Sequence, residues 1–165
     1  MKFMEIDMET NYVQIMIESL EKKKAVLSQI VDLNRQQNIL LQDLNLQPEE
    51  FEKNMDYKAN LVEQISLLDS GFEKLYEKVR TELQNNRADY QDEIAKMQSL
   101  IRDISAQTNM IQTQEQRSKQ QVEQKFADVR KQVRGVRSSQ KVVQQYYQNM
   151  LHQKNADSSV IDNKK

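Results

Sequence analysis

The apolar repeat between positions 51 and 83 constrains the fold of this chain more than any other feature. One column of this repeat recurs every seven residues at Phe51, Lys58, Ile65, Phe72 and Val79. An interleaved column is formed by Met55, Val62, Asp69, Tyr76 and Leu83. Leu61, Leu68 and Leu75 flank the columns and make the face broader than a two-stranded seam. A helix with this face needs two neighbours, which favours a bundle over a dimeric zipper.

The scarcity of turn formers excludes most folds that contain a sheet. The 165 residues include two glycines and one proline, whereas sheets depend on turns rich in these residues. The absence of cysteine excludes disulfide scaffolds and zinc sites with cysteine ligands. The acidic opening MKFMEIDME is unlike a secretory signal. The aliphatic run 39–41 is far shorter than the ~20 residues that span a bilayer. We therefore expect a cytoplasmic protein without membrane insertion.

The spacing of apolar residues predicts three helices, over residues 8–44, 48–84 and 87–151. Acidic residues and Thr10 mark the start of the first helix, and Pro48 suits the first turn of the second. The asparagine pair at 85 and 86 predicts the end of the second helix, because asparagine tolerates left-handed geometry. Gly71, inside this helix, indicates a close helix crossing or a slight bend.

The predicted third helix is too long for its partners. At 1.5 Å per residue, ~65 residues reach roughly 95 Å, against roughly 55 Å for each of the other two helices. An apolar stripe from Val122 to Met150 then has no obvious intramolecular partner, which is typical of an interaction site. A hairpin at Gly135 and helical self-association are the alternatives. Residues 152–165 lack periodicity and are predicted to be a disordered tail.

These patterns together predict an all-α fold, an antiparallel three-helix coiled-coil bundle with an overlong C-terminal helix. Residues 1–151 form its single domain. Asn34 and Asn38 lie near the inner face of the first helix, where polar residues set register. Asp69 is the one carboxylate at a bundle-facing position. We interpret it as a residue of the core edge and not as an acid catalyst.

Nothing in the pattern supports catalysis. The single histidine, His152, lies near the end of the last helix, and no base is spaced to activate a nucleophile. No glycine-rich loop is present to bind phosphate. We therefore expect a protein that is not an enzyme and that uses no cofactor, no metal and no small-molecule substrate.

Charge is unevenly distributed along the chain. Residues 1–86 carry 10 basic and 16 acidic side chains, whereas residues 87–165 carry 14 and 9. The stretch 117–141 holds eight cations against two acids. A nucleic-acid surface is one reading, but a solvated helix face is favoured because aromatic residues other than Phe126 do not interleave the cations. A structural coiled-coil scaffold is a further alternative.

Three stretches carry a resemblance to a known family. They are residues 57–72, which read YKANLVEQISLLDSGF, residues 111–117, which read IQTQEQR, and residues 138–141 with 146–150, which read SSQK and YYQNM. Across residues 10–151 the layout resembles the flagellar export chaperones of the FlgN family, in the form found in some Gram-positive bacteria. Chaperones of the filament-cap (FliT) type share the helical design and stay an alternative.

The resemblance implies a cytoplasmic type III export chaperone. Such a protein binds unassembled hook-associated flagellar proteins, prevents premature assembly and delivers them to the export apparatus. In that family the long C-terminal helix binds the client. From the heptads that cover most of residues 12–151 we separately expect a monomer or weak dimer. The corresponding residues of this chain are Val122, Phe126, Val129, Val133, Val136, Val143, Tyr147 and Met150. The basic C-terminal half departs from the acidic character that is frequent among such chaperones.

Overall fold

A computed structural model describes residues 2–126, 140–146 and 148–150, and the side chains of all of these except residues 2–10 and 126. The described residues are almost entirely helical and include no strand. The helices are α1 (Lys2–Gln42), α2 (Pro48–Asn85) and α3 (Gln91–Phe126), with a 3₁₀ turn at Arg87–Tyr90 between α2 and α3. Residues 140–146 and 148–150 are also helical and are named the C-terminal segment. The predicted all-α class is confirmed.

The start of α1 differs from the prediction. The helix begins at Lys2 and not near residue 8, so Thr10 lies inside it. The predicted bounds of α2 are within one residue of those observed. Pro48 occupies its first turn with Glu49 and Glu50, whose charges suit the positive end of the helix dipole. Asn86 follows the helix with a φ of −119°, so its end uses no left-handed residue.

Polar groups fix the turn between α1 and α2. The backbone N–H of Asn45 donates to Oδ1 of Asp43 at 2.9 Å, which closes a local turn after α1. Nζ of Lys125, near the end of α3, donates to the carbonyl oxygen of Leu41 at 3.0 Å and also to that of Asp43. Because the last carbonyls of a helix have no intrahelical donor, this lysine satisfies the end of α1 and ties α3 to it.

Contacts between side chains define the directions of the helices. Ser19 and Leu33 of α1 are paired with Leu68 and Asn54 of α2, so the two helices run antiparallel. Lys24 of α1 meets Asp103 of α3 at 2.9 Å, and Asn34 farther along α1 meets Gln114 at 3.0 Å. Helices α1 and α3 therefore run parallel. Helix α1 packs along both partners, whereas no Cα of α2 comes within 8 Å of a Cα of α3.

The core follows the apolar columns that the sequence shows on α2. Phe51, Met55, Ile65 and Val79 are fully buried, and α1 and α3 supply the opposing apolar residues. Lys58, which interrupts one column, is fully buried as well. None of the described helices combines the length and apolar content that a bilayer crossing requires.

The third helix, predicted over residues 87–151 with a hairpin at Gly135 as an alternative, is not continuous. Met150 lies within 3.8 Å of Thr108 in α3, although 42 residues of continuous helix would separate them by roughly 63 Å. The C-terminal segment therefore returns along α3. Gly135 and the predicted tail 152–165 lie outside the described residues.

Gly71 offers a test of the predicted close crossing. Apart from the adjacent backbone of α2, a Cβ atom at this position would have no atom within 4 Å, so no neighbouring helix requires a glycine here. We expect Gly71→Ala to raise the free energy of unfolding by about 0.5–1 kcal/mol, because alanine restricts the unfolded chain and favours helix. Urea denaturation followed by circular dichroism measures this change. A destabilised variant would indicate that the glycine is needed at this position.

Candidate partner-binding site

The described members of the predicted stripe are buried. Val122, Val143 and Met150 expose 4%, 1% and 2% of their surface. The expectation of a bare stripe is therefore wrong for these three residues. Val143 and Met150 belong to the returning C-terminal segment, which packs against the bundle. The side chain of Phe126 and the residues Val129, Val133, Val136 and Tyr147 lie outside the described part of the chain. The role of the whole set in partner binding stays a prediction.

The C-terminal segment lies antiparallel to α3. Its glutamines share a cleft of about 450 Å³ with polar residues of α3, and the lining consists of Gln112, Glu115, Gln116, Lys119, Gln140, Gln144 and Gln148. Because Met150 lies beside Thr108, this register places Gln144 level with Gln114, within one helical turn of Gln116. One side of the segment therefore meets α3 across a polar, open seam.

The other side of the segment is apolar. Val143, Tyr146 and Met150 follow the spacing i, i+3 and i+7, which places them on one helical face, and all three are buried. Met150 shares a small cavity with α1 and α3, which is lined by Leu20, Lys23, Ile101, Ile104, Ser105 and Thr108. The groove that receives the segment is thus apolar apart from a few polar groups at its base.

An ion pair lies at the base of this groove. Nζ of Lys23 in α1 is 2.7 Å from Oδ1 of Asp69 in α2, and the side chains expose 6% and 8% of their surface. Burial raises the pKa of the Asp69 carboxyl, an effect that Lys23 opposes and Glu73 reinforces. Burial and the charge of Asp69 also raise the pKa of Tyr146, so its hydroxyl stays protonated at neutral pH.

A second buried charge connects all three long helices. Nζ of Lys58 in α2 donates to Oδ1 of Asn34 at 2.9 Å, to Oε1 of Gln37 at 3.0 Å and to Oε1 of Glu115 in α3. Asn34 also donates to Gln114 of α3, which agrees with the register role predicted for it. Desolvation lowers the pKa of Lys58, and Glu115 opposes this change. All three donor sites of the ammonium are used.

Sequence reasoning missed Lys23, Lys58 and Tyr146 as buried polar residues. The signal for Lys58 was its place in an apolar column. The same signal did identify Asp69 as a carboxylate at a bundle-facing position. Two adjacent tyrosines both fit the apolar spacing of the segment. The predicted stripe contained Tyr147, but the segment buries Tyr146. Only the direction of the returning segment, which spacing does not contain, distinguishes the two.

The described residues include no group of three or more histidines, cysteines or carboxylates that could hold a metal ion. The site consists instead of an apolar helical groove, a buried ion pair and an amide-lined seam. This chemistry suits the binding of a helix. No family model matches the chain, and no curated protein or solved structure shows detectable similarity to it.

The Lys58 network predicts a large effect of removing its charge. We expect Lys58→Met to lower the free energy of unfolding by about 3 kcal/mol, because Glu115 and two amides lose a buried partner. The matched control is Lys24→Met, whose ion pair with Asp103 is about half exposed and should contribute less than about 1 kcal/mol. Urea denaturation measures both variants, and equal losses would contradict a special role for Lys58.

The antiparallel return of the C-terminal segment can be tested by cross-linking. The chain has no cysteine, so thiols can be placed at will. We expect Gln116→Cys with Gln144→Cys to be joined rapidly by a short bismaleimide, since both side chains line one cleft. The control pair is Gln116→Cys with Gln145→Cys. Gln145 is exposed and lies about 100° farther round the helix than Gln144. Equal rates for the two pairs, read by mass spectrometry, would contradict this register.

Proposed function

We propose that the chain is a cytoplasmic export chaperone. It binds the helical end of an unassembled hook-associated flagellar protein and presents it to the type III export apparatus. In this proposal α1, α2 and α3 form an antiparallel three-helix coiled-coil bundle. The region from Val122 to Met150 binds the client. The protein acts as a monomer or weak dimer, without catalysis or a cofactor.

Two things support this proposal. The first is the resemblance of residues 57–72, 111–117 and 138–141 with 146–150 to the FlgN family. The second is the observation that carries the proposal: an amphipathic helical segment occupies a groove of the bundle through one apolar face. Helix-in-groove contacts of this kind are a general mode of peptide recognition.

The polar seam favours release of the segment. Three of its glutamines line an open cleft with α3, where water can solvate them, so their departure costs little. Release exposes Val143, Tyr146 and Met150 and opens the groove, and a client helix can then replace the segment in it. The states with the segment bound and with the client helix bound bury similar apolar faces. Exchange of one helix for the other therefore costs much less free energy than the burial of either helix contributes. Micromolar to nanomolar affinity corresponds to about 8–12 kcal/mol.

The binding test uses purified hook-associated proteins and calorimetry. We expect Phe126→Ala with Val133→Ala to weaken client binding more than a hundredfold, because two anchors together contribute about 3 kcal/mol. The thermal melting of the chain should change little. Loss of stability without loss of client binding would show that these residues belong to the core.

Cross-linking provides the matching control for release. The chain joined through Gln116→Cys and Gln144→Cys cannot free its segment and should lose client binding, whereas the same variant capped with N-ethylmaleimide should retain it. A filament-cap protein and duplex DNA, each measured at two salt concentrations, serve as comparison ligands. Preferred binding of the filament-cap protein would identify the alternative client. DNA binding with a steep salt dependence would favour the nucleic-acid reading.

A further inference from the structure

The Lys23–Asp69 ion pair lies next to the C-terminal segment. Lys23 lines the small cavity beside Met150, Asp69 is 2.7 Å from Lys23, and the hydroxyl of Tyr146 is 2.9 Å from Sδ of Met150. The two charged side chains come from α1 and α2, so they lie in the groove whether or not the segment occupies it. The segment therefore covers a buried pair of charges as well as an apolar surface.

The carboxylate of Asp69 is only partly satisfied. Its Oδ1 accepts from Lys23 at 2.7 Å, whereas its buried Oδ2 has no hydrogen-bond partner among the described protein atoms. A buried acceptor without a partner is costly, and a second carboxylate nearby would add like-charge repulsion in a medium of low dielectric constant. The charged residues that act on Asp69 are Lys23 and Glu73.

The segment places an uncharged residue close to this ion pair. Tyr146 is buried, and its hydroxyl lies 2.9 Å from Sδ of Met150. The phenol donates to this sulfur and adds no charge to the groove. Val143 and Met150 provide the apolar contacts on either side of it. The order along the helix is thus apolar residue, neutral donor and apolar residue at i, i+3 and i+7.

We propose that the Lys23–Asp69 pair determines which helix can occupy the groove. The groove accepts an amphipathic helix that carries an uncharged polar residue at i+3 between apolar residues at i and i+7. It rejects a helix that carries a carboxylate at i+3. This inference rests on the proposed function, in which a partner helix replaces the segment, and it specifies the chemistry of that partner.

The first test measures hydrogen exchange of the segment in the full chain and needs no client. Tyr146→Gln and Tyr146→Glu have the same shape and differ in charge. We expect amides 140–146 and 148–150 to exchange at least tenfold faster in the Glu variant than in the Gln variant. In an Asp69→Asn background this ratio should fall below about twofold, because a glutamate at 146 can then pair with Lys23.

Glu73→Gln is the matched control. Glu73 is an exposed acid that also acts on Asp69, and its removal should leave the tenfold ratio in place. Should Asp69→Asn fail to fold, the double variant Lys23→Met with Asp69→Leu replaces the pair by apolar groups, and it should abolish the ratio equally. Equal exchange of the Gln and Glu variants, or a ratio that survives removal of the pair, would overturn the inference.

The second test supplies the helix in trans. The probes are two labelled peptides of residues 138–152 with Gln or Glu at position 146. The host is the full-length Val143→Asp chain, whose own segment carries a charge at a buried position. We expect the Gln peptide to bind at least tenfold tighter than the Glu peptide. Equal affinities, or no binding of either peptide, would overturn the inference.

The two proposals fail in different ways. Charge selectivity in both tests without binding of hook-associated proteins would support the role of the ion pair and overturn the proposed client. Binding of the client without a difference between the Gln and Glu variants would overturn the role of the ion pair and leave the chaperone function in place.

Discussion

The buried ammonium of Lys58 is the interaction on which the arrangement of α1, α2 and α3 depends. Apolar columns bring helices together, but they discriminate weakly between neighbouring registers. The hydrogen bonds of Lys58 can form in one register only. Its three oxygen partners come from two different helices, Asn34 and Gln37 on α1 and Glu115 on α3. Any slip leaves a buried charge without partners, at a cost of several kcal/mol. The network also connects α2 with α3, whose backbones do not approach closely.

The C-terminal segment is held by a different balance of forces. Its apolar face is as well buried as the core, but its other side is an open seam of glutamines. Such an interface combines substantial apolar burial with polar contacts that water can replace. The ion pair of Lys23 and Asp69 at its base adds selectivity, because charges in a buried groove penalise an incoming charge of the same sign far more than a solvated pair would.

The sequence predicted α2 within one residue, because its heptad columns, Pro48 and the asparagine pair all agreed. The register role of Asn34 could also be predicted from its place on an inner face. The apolar pattern could not show that the chain reverses after α3. The periodicity continues through residues 122–150 whether the helix is continuous or folds back. Gly135 was the one signal for a reversal, and it was held as an alternative.

The sequence by itself determined that the chain is helical, where α2 begins and ends, and which face of α2 is buried, since local propensity and apolar period are properties of neighbouring residues. The tertiary structure decided that the C-terminal segment lies back along α3, that Tyr146 is buried, and that Lys23 and Asp69 meet beneath it. These features depend on distances between residues remote in the chain. A helical repeat contains no information about such distances, because the same apolar face can be covered by any suitable helix.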